Sequence, residues 1–261
     1  MEHLRLHHDG PVARLLIDHP RRRNAFTRAM WRALPELVAR ALADPAVRVL
    51  ALQGAQPGMF AAGADISEFE ATYGDPAEAH RATREIQDGI NAVHACPLPV
   101  VALIDGPCVG GGVALVLACD IRLASEQARF AVTPAKLGLS YHPEDLARLV
   151  EACGLAAASE LLYGGQLWSA ARAQQSGLAN QVLPAAEFGA AADALLQSIA
   201  ANSATANRAI KHGLRAVCAR DGQATAQAER TFLDLFSSPD FLEGRDAFLQ
   251  KRAAAFPSHR P

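Results

Sequence analysis

Short apolar runs alternate with longer amphipathic segments along the first part of the chain. Apolar runs bounded by glycine or proline are typical of buried strands, and an apolar period of about 3.6 residues is typical of helices. Strands are predicted over residues 12–18, 47–53, 99–105, 120–124, 130–132 and 177–183. Helices are predicted over residues 28–43, 76–95 and 110–118, with Thr27 as the N-cap of the first. This strand-then-helix order predicts an α/β core with largely buried strands.

From residue 185 onward the pattern is helical, and the region after residue 200 is rich in apolar side chains. Its large apolar residues include Phe232, Leu235, Phe236, Phe241, Phe248 and Phe256. Such a helical region often completes an oligomer interface, and the alternative is that it folds back on its own core. We therefore divide the chain into an α/β core over residues 1–200 and a helical region over residues 201–261.

Composition and charge narrow the classes of protein. The chain has 261 residues, of which 50% are hydrophobic and 20% charged, and its formal net charge is −2. That balance disfavours nucleic acid as a partner, and no apolar run is long enough to span a bilayer. The five cysteines show no C-x-x-C spacing, so no zinc or other metal site is indicated. Their odd number, with no secretion signal, predicts a cytoplasmic protein.

Two junctions between a strand and the following segment combine small residues with a predicted helix start. They lie at residues 59–66 (MFAAGADI) and 106–112 (GPCVGGG). Small residues let backbone N–H groups approach a ligand, and a helix start adds unsatisfied donors. One N–H group from each junction could hold a developing oxyanion. Close packing of helices would also explain a triple glycine.

Six segments carry a resemblance to a known family: 61–66 (AAGADI), 110–112 (GGG), 119–122 (CDIR), 137–139 (LGL), 170–182 and 243–252 (EGRDAFLQKR). In order and spacing they resemble the enoyl-CoA hydratase/isomerase (crotonase) superfamily. The resemblance implies a spiral of repeated ββα units with a C-terminal helical region that mediates trimerisation, as a trimer or a dimer of trimers. It also implies an acyl-CoA thioester ligand. Coenzyme A would enter as part of the substrate, with no permanently bound cofactor.

The same resemblance implies roles for individual residues. The backbone N–H groups of Ala64 and Gly111 would form the oxyanion hole. Contacts to coenzyme A are implied for Arg23, Asn24, Ala62, Asp65, Ile66 and Lys251. For Arg23 and Lys251 the alternative is a solvated charge, and for Asp65 it is a cap of the helix that begins near Ser67. Phe69, Tyr73, Leu137, Leu139 and Leu161 are candidates for the wall of the acyl pocket, although apolar residues are core by default.

Two side chains that the family's hydratases use are absent. Their first glutamate follows the triple glycine by two residues, where this chain has Ala114. Their second falls at Pro134 here, or at Ala135 with a one-residue slip. None of these side chains can donate or accept a proton, and hydration needs a titratable group within reach of its water. A standard two-glutamate hydration mechanism is therefore not expected.

The segment 140–145 (SYHPED) offers replacements. Tyr141, His142 and Glu144 are the candidate proton carriers, and Thr133-Pro134 with Tyr141 resembles the methylmalonyl-CoA decarboxylase branch of the family. That branch carries a glutamate at the position of Ala114 and a histidine at that of Ala64, so the match is partial. The alternatives are that Tyr141 packs in the wall, that His142 is a turn residue, and that Glu144 and Asp145 stabilise a helix dipole.

Two functions are consistent with these residues. The first is an isomerase or decarboxylase that acts through a thioester enolate. The second is a non-catalytic protein that binds acyl-CoA and has lost the chemistry.

Overall fold

The computed structural model describes residues 3–257, and it contains nine strands and ten α-helices in that range. The strands are β1 (Leu4–Asp9), β2 (Val12–Ile17), β3 (Val49–Gly54), β4 (Val100–Ile104), β5 (Pro107–Val109), β6 (Ile121–Ser125), β7 (Arg129–Ala131), β8 (Trp168–Ser169) and β9 (Gln181–Leu183). The α-helices are α1 (Arg28–Ala43), α2 (Phe69–Tyr73), α3 (Pro76–Ala95), α4 (Gly111–Leu117), α5 (Pro143–Gly164), α6 (Ala170–Ser176), α7 (Ala185–Ala201), α8 (Ala204–Ala219), α9 (Gly222–Leu235) and α10 (Pro239–Leu249).

A six-stranded sheet in the order β1-β2-β3-β4-β6-β9 forms the centre of the molecule. Strands β1 and β2 pair antiparallel, and every later pair in this sheet is parallel. Alternate residues of β3 and β4 enter two separate apolar clusters, one on each face. This period of two explains why these strands read as continuous apolar runs in the sequence.

Local signals set the main helices. Helix α1 begins at Arg28 because the Thr27 side chain accepts a hydrogen bond from the Met30 N–H group. Helix α3 begins with Pro76, and its N-cap Asp75 accepts from the Glu78 N–H group. Both predicted helix ranges are confirmed residue for residue.

A second sheet of three short strands, β5-β7-β8, holds the glycine-rich junction before α4. Strand β5 pairs parallel with β7, which pairs antiparallel with β8. The prediction missed β1, β5 and β8, and it began the last strand at residue 177, whereas β9 begins at Gln181. Strand β1 was missed because its sequence, LRLHHD, is mostly polar and its side chains are largely exposed at the sheet edge.

The C-terminal helices pack on one another and reach the core through one buried cation. The Lys211 ammonium group on α8 donates to the Leu98 carbonyl oxygen at 2.7 Å and pairs with Asp120. Helix α10, by contrast, exposes 83% of Phe248. The predicted boundary at residue 200 falls at the end of α7. Within residues 3–257, no helix is both long and apolar enough to cross a membrane.

Candidate active site

The two junctions predicted from the sequence lie side by side. The Val109 N–H group donates to the Ala61 carbonyl oxygen at 2.9 Å, and the Ala61 N–H group donates to the Pro107 carbonyl oxygen at 2.9 Å. This ladder aligns the segment that leads to Ala64 with the segment that leads to Gly111. The two loops are far apart along the chain, as the crossover connections of parallel pairing require. They nevertheless share one surface.

The N–H groups of Ala64 and Gly111 have no hydrogen-bond partner within residues 3–257. Phe26 uses the flanking groups, because its N–H group donates to the Gly63 carbonyl oxygen and its carbonyl oxygen accepts from the Asp65 N–H group. Gly111 is the first residue of α4, where the N–H group has no helical acceptor. Both predicted donors are therefore available to a ligand.

The three glycines serve different purposes. Gly110 has a φ of +52°, in the region that favours glycine. A Cβ at Gly111 would lie 3.0 Å from the Trp31 ring, and one at Gly112 would lie 2.9 Å from the Ala61 Cβ. Close packing therefore explains Gly112, while Gly110 turns the backbone so that α4 begins with its free N–H group beside the first junction.

A small cavity lies beside Ala64. Its volume is about 20 Å³, and its lining includes Phe26, Trp31, Ala64, Phe69, Tyr73 and Ile86. Phe69 and Tyr73 are thus next to Ala64, as expected of wall residues. Leu161 instead lies fully buried in the core, while Leu137 and Leu139 are exposed.

The two positions where hydratases carry glutamates contribute no titratable side chain. Ala114 is buried on the first turns of α4. Pro134 opens the 3₁₀ helix Pro134–Leu137, which also contains Ala135. A proton carrier for this site must come from another element.

Tyr141 is the predicted carrier that the fold brings to the glycine-rich junction. Its hydroxyl group donates to the Gly110 carbonyl oxygen at 2.9 Å, and its ring packs against the core. Burial of the phenol raises its pKa well above the ordinary value, and the nearby Asp145 and Cys108 add to this shift. Tyr141 is therefore a neutral hydrogen-bond donor beside Gly111.

His142 and Glu144 have structural contacts at the start of α5. His142 is the N-cap, and its Nδ1 atom accepts from the Glu144 N–H group at 3.4 Å. The Glu144 carboxylate is exposed and lies 3.4 Å from the Arg148 guanidinium group. These contacts fit the alternatives that His142 is a turn residue and that Glu144 stabilises the helix dipole.

Asp145 is a buried acid that was expected only to stabilise the helix dipole. It is 3% exposed, and its oxygens accept from Gln87 Nε2 at 2.9 Å and from Arg148 Nη1 at 3.2 Å. Burial raises the pKa of its carboxyl group, against the opposing effects of Gln87 and Arg148. Gln87 was missed altogether, because one polar residue on a mostly polar helix gives no signal in the sequence.

The predicted coenzyme A contacts fall into two groups. Asn24 is buried, and its side chain accepts from the His19 N–H group at 2.7 Å and donates to the Met59 carbonyl oxygen. Asp65 is also buried and caps the 3₁₀ helix Ile66–Glu68 by accepting from the Ser67 N–H and hydroxyl groups. These hydrogen bonds hold the two loops in place, and contact of Asn24 and Asp65 with coenzyme A stays a prediction.

The other predicted contacts are open to solvent or act through the backbone. Arg23 is exposed, and its carbonyl oxygen accepts from the Ala62 N–H group at 3.1 Å. Ile66 is 79% exposed. Lys251 is exposed beyond α10, with a φ of +53°. Ala62 and Ile66 belong to the first junction, and Arg23 contacts it through Ala62. Lys251 lies in the C-terminal region instead.

Comparison with known proteins gives consistent matches over the whole chain. The family profile described as enoyl-CoA hydratase/isomerase matches residues 8–259. The Mus musculus protein named enoyl-CoA hydratase domain-containing protein 2, mitochondrial, is 32% identical over 253 residues, which cover 94% of this chain and 84% of that protein.

Two solved structures are similarly close. The crystal structure of an enoyl-CoA hydratase/carnithine racemase from Magnetospirillum magneticum has a TM-score of 0.93 at 33% identity and covers 99% of this chain and 96% of its own. That of an enoyl-CoA hydratase from Bacillus anthracis has a TM-score of 0.92 at 28% identity and covers 98% of this chain and 100% of its own.

Proposed function

The chain belongs to the enoyl-CoA hydratase/isomerase family and has the crotonase fold, and on this basis we propose that it acts on an acyl-CoA thioester through an enolate. The predicted α/β fold with a helical C-terminal region is confirmed. The observation that carries the proposal is the pair of N–H groups at Ala64 and Gly111 on adjacent loops, which have no partner among the described residues.

The two N–H groups would stabilise the enolate oxygen. When a thioester becomes an enolate, negative charge develops on its oxygen, and preorganised donors lower the barrier because they need no rearrangement. Removal of one such donor typically costs roughly 2.7–4 kcal/mol. The free N–H group at the start of α4 also lies at the positive end of that helix.

Hydration by paired glutamates does not fit the side chains around the site. Ala114 and Pro134 cannot activate water, although several relatives are named as hydratases. Isomerisation and decarboxylation both need a proton donor, which the Tyr141 phenol supplies. Because its pKa is raised, this group stays a neutral phenol and offers no phenolate base, and that favours decarboxylation, in which loss of carbon dioxide forms the enolate without a base.

In the decarboxylation route, the bond between the α-carbon and a carboxylate breaks and carbon dioxide leaves. The electron pair moves into the thioester enolate, held by the N–H groups of Ala64 and Gly111. Tyr141 then gives its proton to the α-carbon, and solvent returns a proton to the phenolate. In this scheme His142 and Glu144 are secondary candidates, because the contacts of both are at the helix start.

Coenzyme A would lie along the first junction, near the exposed Arg23, Ile66 and the backbone of Ala62. Lys251 would reach its phosphates from a neighbouring subunit. Exposed aromatic side chains on α9 and α10 support a homo-oligomer, as a trimer or a dimer of trimers. Five free cysteines fit a reducing compartment such as the cytoplasm.

Incubation with a panel of malonyl-type, enoyl and dienoyl thioesters tests the reaction, with product masses as the measurement. We expect loss of carbon dioxide from a malonyl-type thioester, or an isobaric product from an enoyl or dienoyl thioester. Gain of water by crotonyl-CoA at ordinary enzymatic rates would contradict the proposed chemistry.

A second candidate function is non-catalytic binding of acyl-CoA. The absence of side-chain acids and bases at Ala114 and Pro134 favours it. A thermal shift with acyl-CoA but no product from the panel would select this candidate. No thermal shift with any thioester would contradict both.

A further inference from the structure

A polar network connects α3 to the first turns of α5, directly after Tyr141. Asp145 and Arg148 belong to α5, and Gln87 and Asn91 face them from α3. Gln87 donates to Asp145, while Arg148 donates to both Asp145 and Asn91. Gln87 and Asp145 are both more than nine-tenths buried. A carboxylate that loses most of its water is costly unless it has a specific set of partners.

Gln87 is oriented by Asp145 rather than by a full set of hydrogen bonds. Its Nε2 atom donates to the carboxylate, whereas its Oε1 atom is buried and has no partner within residues 3–257. An unpaired buried acceptor is destabilising. An amide that presents only its donor to Asp145 fits an ionised carboxylate, which can only accept.

The network adjoins the cavity lining through α3 and Tyr141 through the start of α5. Ile86, the neighbour of Gln87 on α3, lines the cavity with Ala64 and Trp31. Tyr141 precedes α5 by two residues, and its hydroxyl group reaches the Gly110 carbonyl oxygen. The anchored first turn of α5 therefore sets the place of the phenol.

The polar and titratable groups around Asp145 and Tyr141 come from four elements. From α5 they are Asp145, Arg148, Glu144 and the N-cap His142, and from α3 it is Gln87. Strand β5 adds the buried Cys108, and the backbone of Ala114 on α4 also faces the phenol. Among these groups, Asp145 is the buried carboxylate, and its charge adds to the effect of burial in raising the pKa of Tyr141.

We propose that Asp145, held by Gln87, is a positioning residue that keeps the Tyr141 phenol protonated and directed at the Gly110 carbonyl. Its negative charge opposes a second negative charge on the phenol oxygen, and its hydrogen bond to α3 holds the first turn of α5 in place. The role of Tyr141 in the reaction rests on the proposed function, but the effect of Asp145 on the phenol does not.

Asp145→Asn removes the charge and keeps the shape. Arg148 can still donate to the remaining oxygen, and Gln87 can turn its amide over to accept from the new one, so both hydrogen bonds persist. We therefore expect the variant to fold. Glu160→Gln is the matched control, since Glu160 lies in α5 beyond its break at Gly154, is exposed and pairs only with Arg172 among the described residues.

The ionisation of Tyr141 is measured by ¹⁹F NMR after uniform incorporation of difluorotyrosine, whose more acidic phenol brings the titration into an accessible pH range. The chain has three tyrosines, and Tyr141→Phe identifies the resonance of Tyr141. We expect Asp145→Asn to lower the titration midpoint of Tyr141 by about one pH unit. Tyr73 and Tyr163 in the same spectrum, and all three tyrosines in Glu160→Gln, should not move.

An unchanged midpoint for Tyr141 in Asp145→Asn would overturn the proposal. If that variant does not fold, Asp145→Ser is also uncharged and carries the same expected shift. If neither variant folds, Asp145 serves the fold and its assignment as a positioning residue is rejected.

The activity assay is separate. If Tyr141 donates the proton, Asp145→Asn should move the basic limb of the kcat profile to lower pH by a similar amount, with KM for the thioester little changed. A shifted midpoint in the spectrum without a shifted kcat profile would leave the positioning role of Asp145 intact. It would instead contradict the proton transfer assigned to Tyr141.

Discussion

The candidate site has two halves that differ in how the chain builds them. The backbone half consists of the two junctions with Ala64 and Gly111, and its groups are N–H donors placed by turns and close packing. The side-chain half consists of Tyr141, Asp145 and Gln87, and hydrogen bonds between α3 and α5 hold its groups. The backbone half keeps the pattern of the family, whereas the side-chain half departs from it.

The two halves therefore differ in the task that each can perform: backbone donors can bind a negatively charged oxygen, and side chains can transfer protons. Two backbone donors can stabilise an enolate oxygen whatever reaction forms it. Acid–base chemistry depends on side chains, and those at Ala114 and Pro134 cannot perform it. In the proposed function, the backbone half would therefore set the class of intermediate, and the side-chain half would decide the reaction.

Tyr141→Phe should give the largest effect and tests the side-chain half. Loss of a general acid typically costs about 10²–10⁴-fold in rate, so we expect a fall in kcat of that order. Stability should fall by only about 1 kcal/mol, because the Gly110 carbonyl oxygen still accepts from the Val113 and Ala114 N–H groups. Steady-state kinetics and urea unfolding measure the two effects.

Tyr163→Phe is the matched control for that variant, since Tyr163 is 83% exposed. It should match the wild type in both rate and stability. Full activity in Tyr141→Phe would show that the side-chain half does not depend on this phenol.

Gly111→Pro tests the backbone half. Proline is favoured at the first position of a helix, so the substitution deletes the N–H group at a position where the helix tolerates it. We expect kcat to fall by about 10²–10³-fold, the usual cost of one lost oxyanion donor. Single-turnover kinetics with the thioester measure the chemical step.

Gly111→Ala controls for the added side chain, because both substitutions place a Cβ about 3.0 Å from the Trp31 ring but only proline removes the donor. If the alanine variant loses as much activity as the proline variant, contact with Trp31 and not the missing N–H group accounts for the effect.

Acid unfolding should give the smallest effect, and it tests α3, the helix that carries Gln87 of the side-chain half. His94 lies on α3, and burial, followed by the charges of Arg215, Arg148 and Lys211, lowers its pKa to about 4. Its ordinary value is about 6.5, so folding favours the neutral ring. This contribution is fully present above about pH 6.5 and is lost as the pH falls from there to about 4.

The wild type should therefore lose about 2 kcal/mol of stability through His94 across that interval, after allowance for the ring's partial exposure. Because the pKa of Asp145 is raised, its protonation acts in the opposite direction at the acid end. Urea unfolding at several pH values measures the slope, which should be smaller in His94→Asn. His80→Asn, at an exposed position of α3, should follow the wild type. Equal slopes in all three proteins would contradict the assignment to His94.

Much of the fold could be predicted because its signals are local. The cap at Thr27 and the Asp75-Pro76 start are each carried by adjacent residues, so the ranges of α1 and α3 follow from the sequence. The small residues at 61–64 and 110–112 likewise mark both N–H groups that are proposed as oxyanion donors. Strand β8 could not be predicted, because two residues carry no period.

The side-chain half could be predicted only in part. Tyr141 was identified, and the structure brings its hydroxyl group to Gly110. His142 and Glu144 are equally good candidates for proton transfer in the sequence. In the structure, however, His142 caps α5 and Glu144 faces solvent. Which residue of a turn becomes buried depends on the helix packed against it, and that helix lies far away in the chain.

The sequence by itself determined the local elements, because each depends on adjacent residues, and it determined the family, because several short segments match it in order along the chain. Only the tertiary structure decided that Asp145 is buried, that Gln87 holds it and that Tyr141 meets the glycine-rich loop. These contacts join α3, α4 and α5, so their energies arise from desolvation and hydrogen bonding between segments that no local pattern connects.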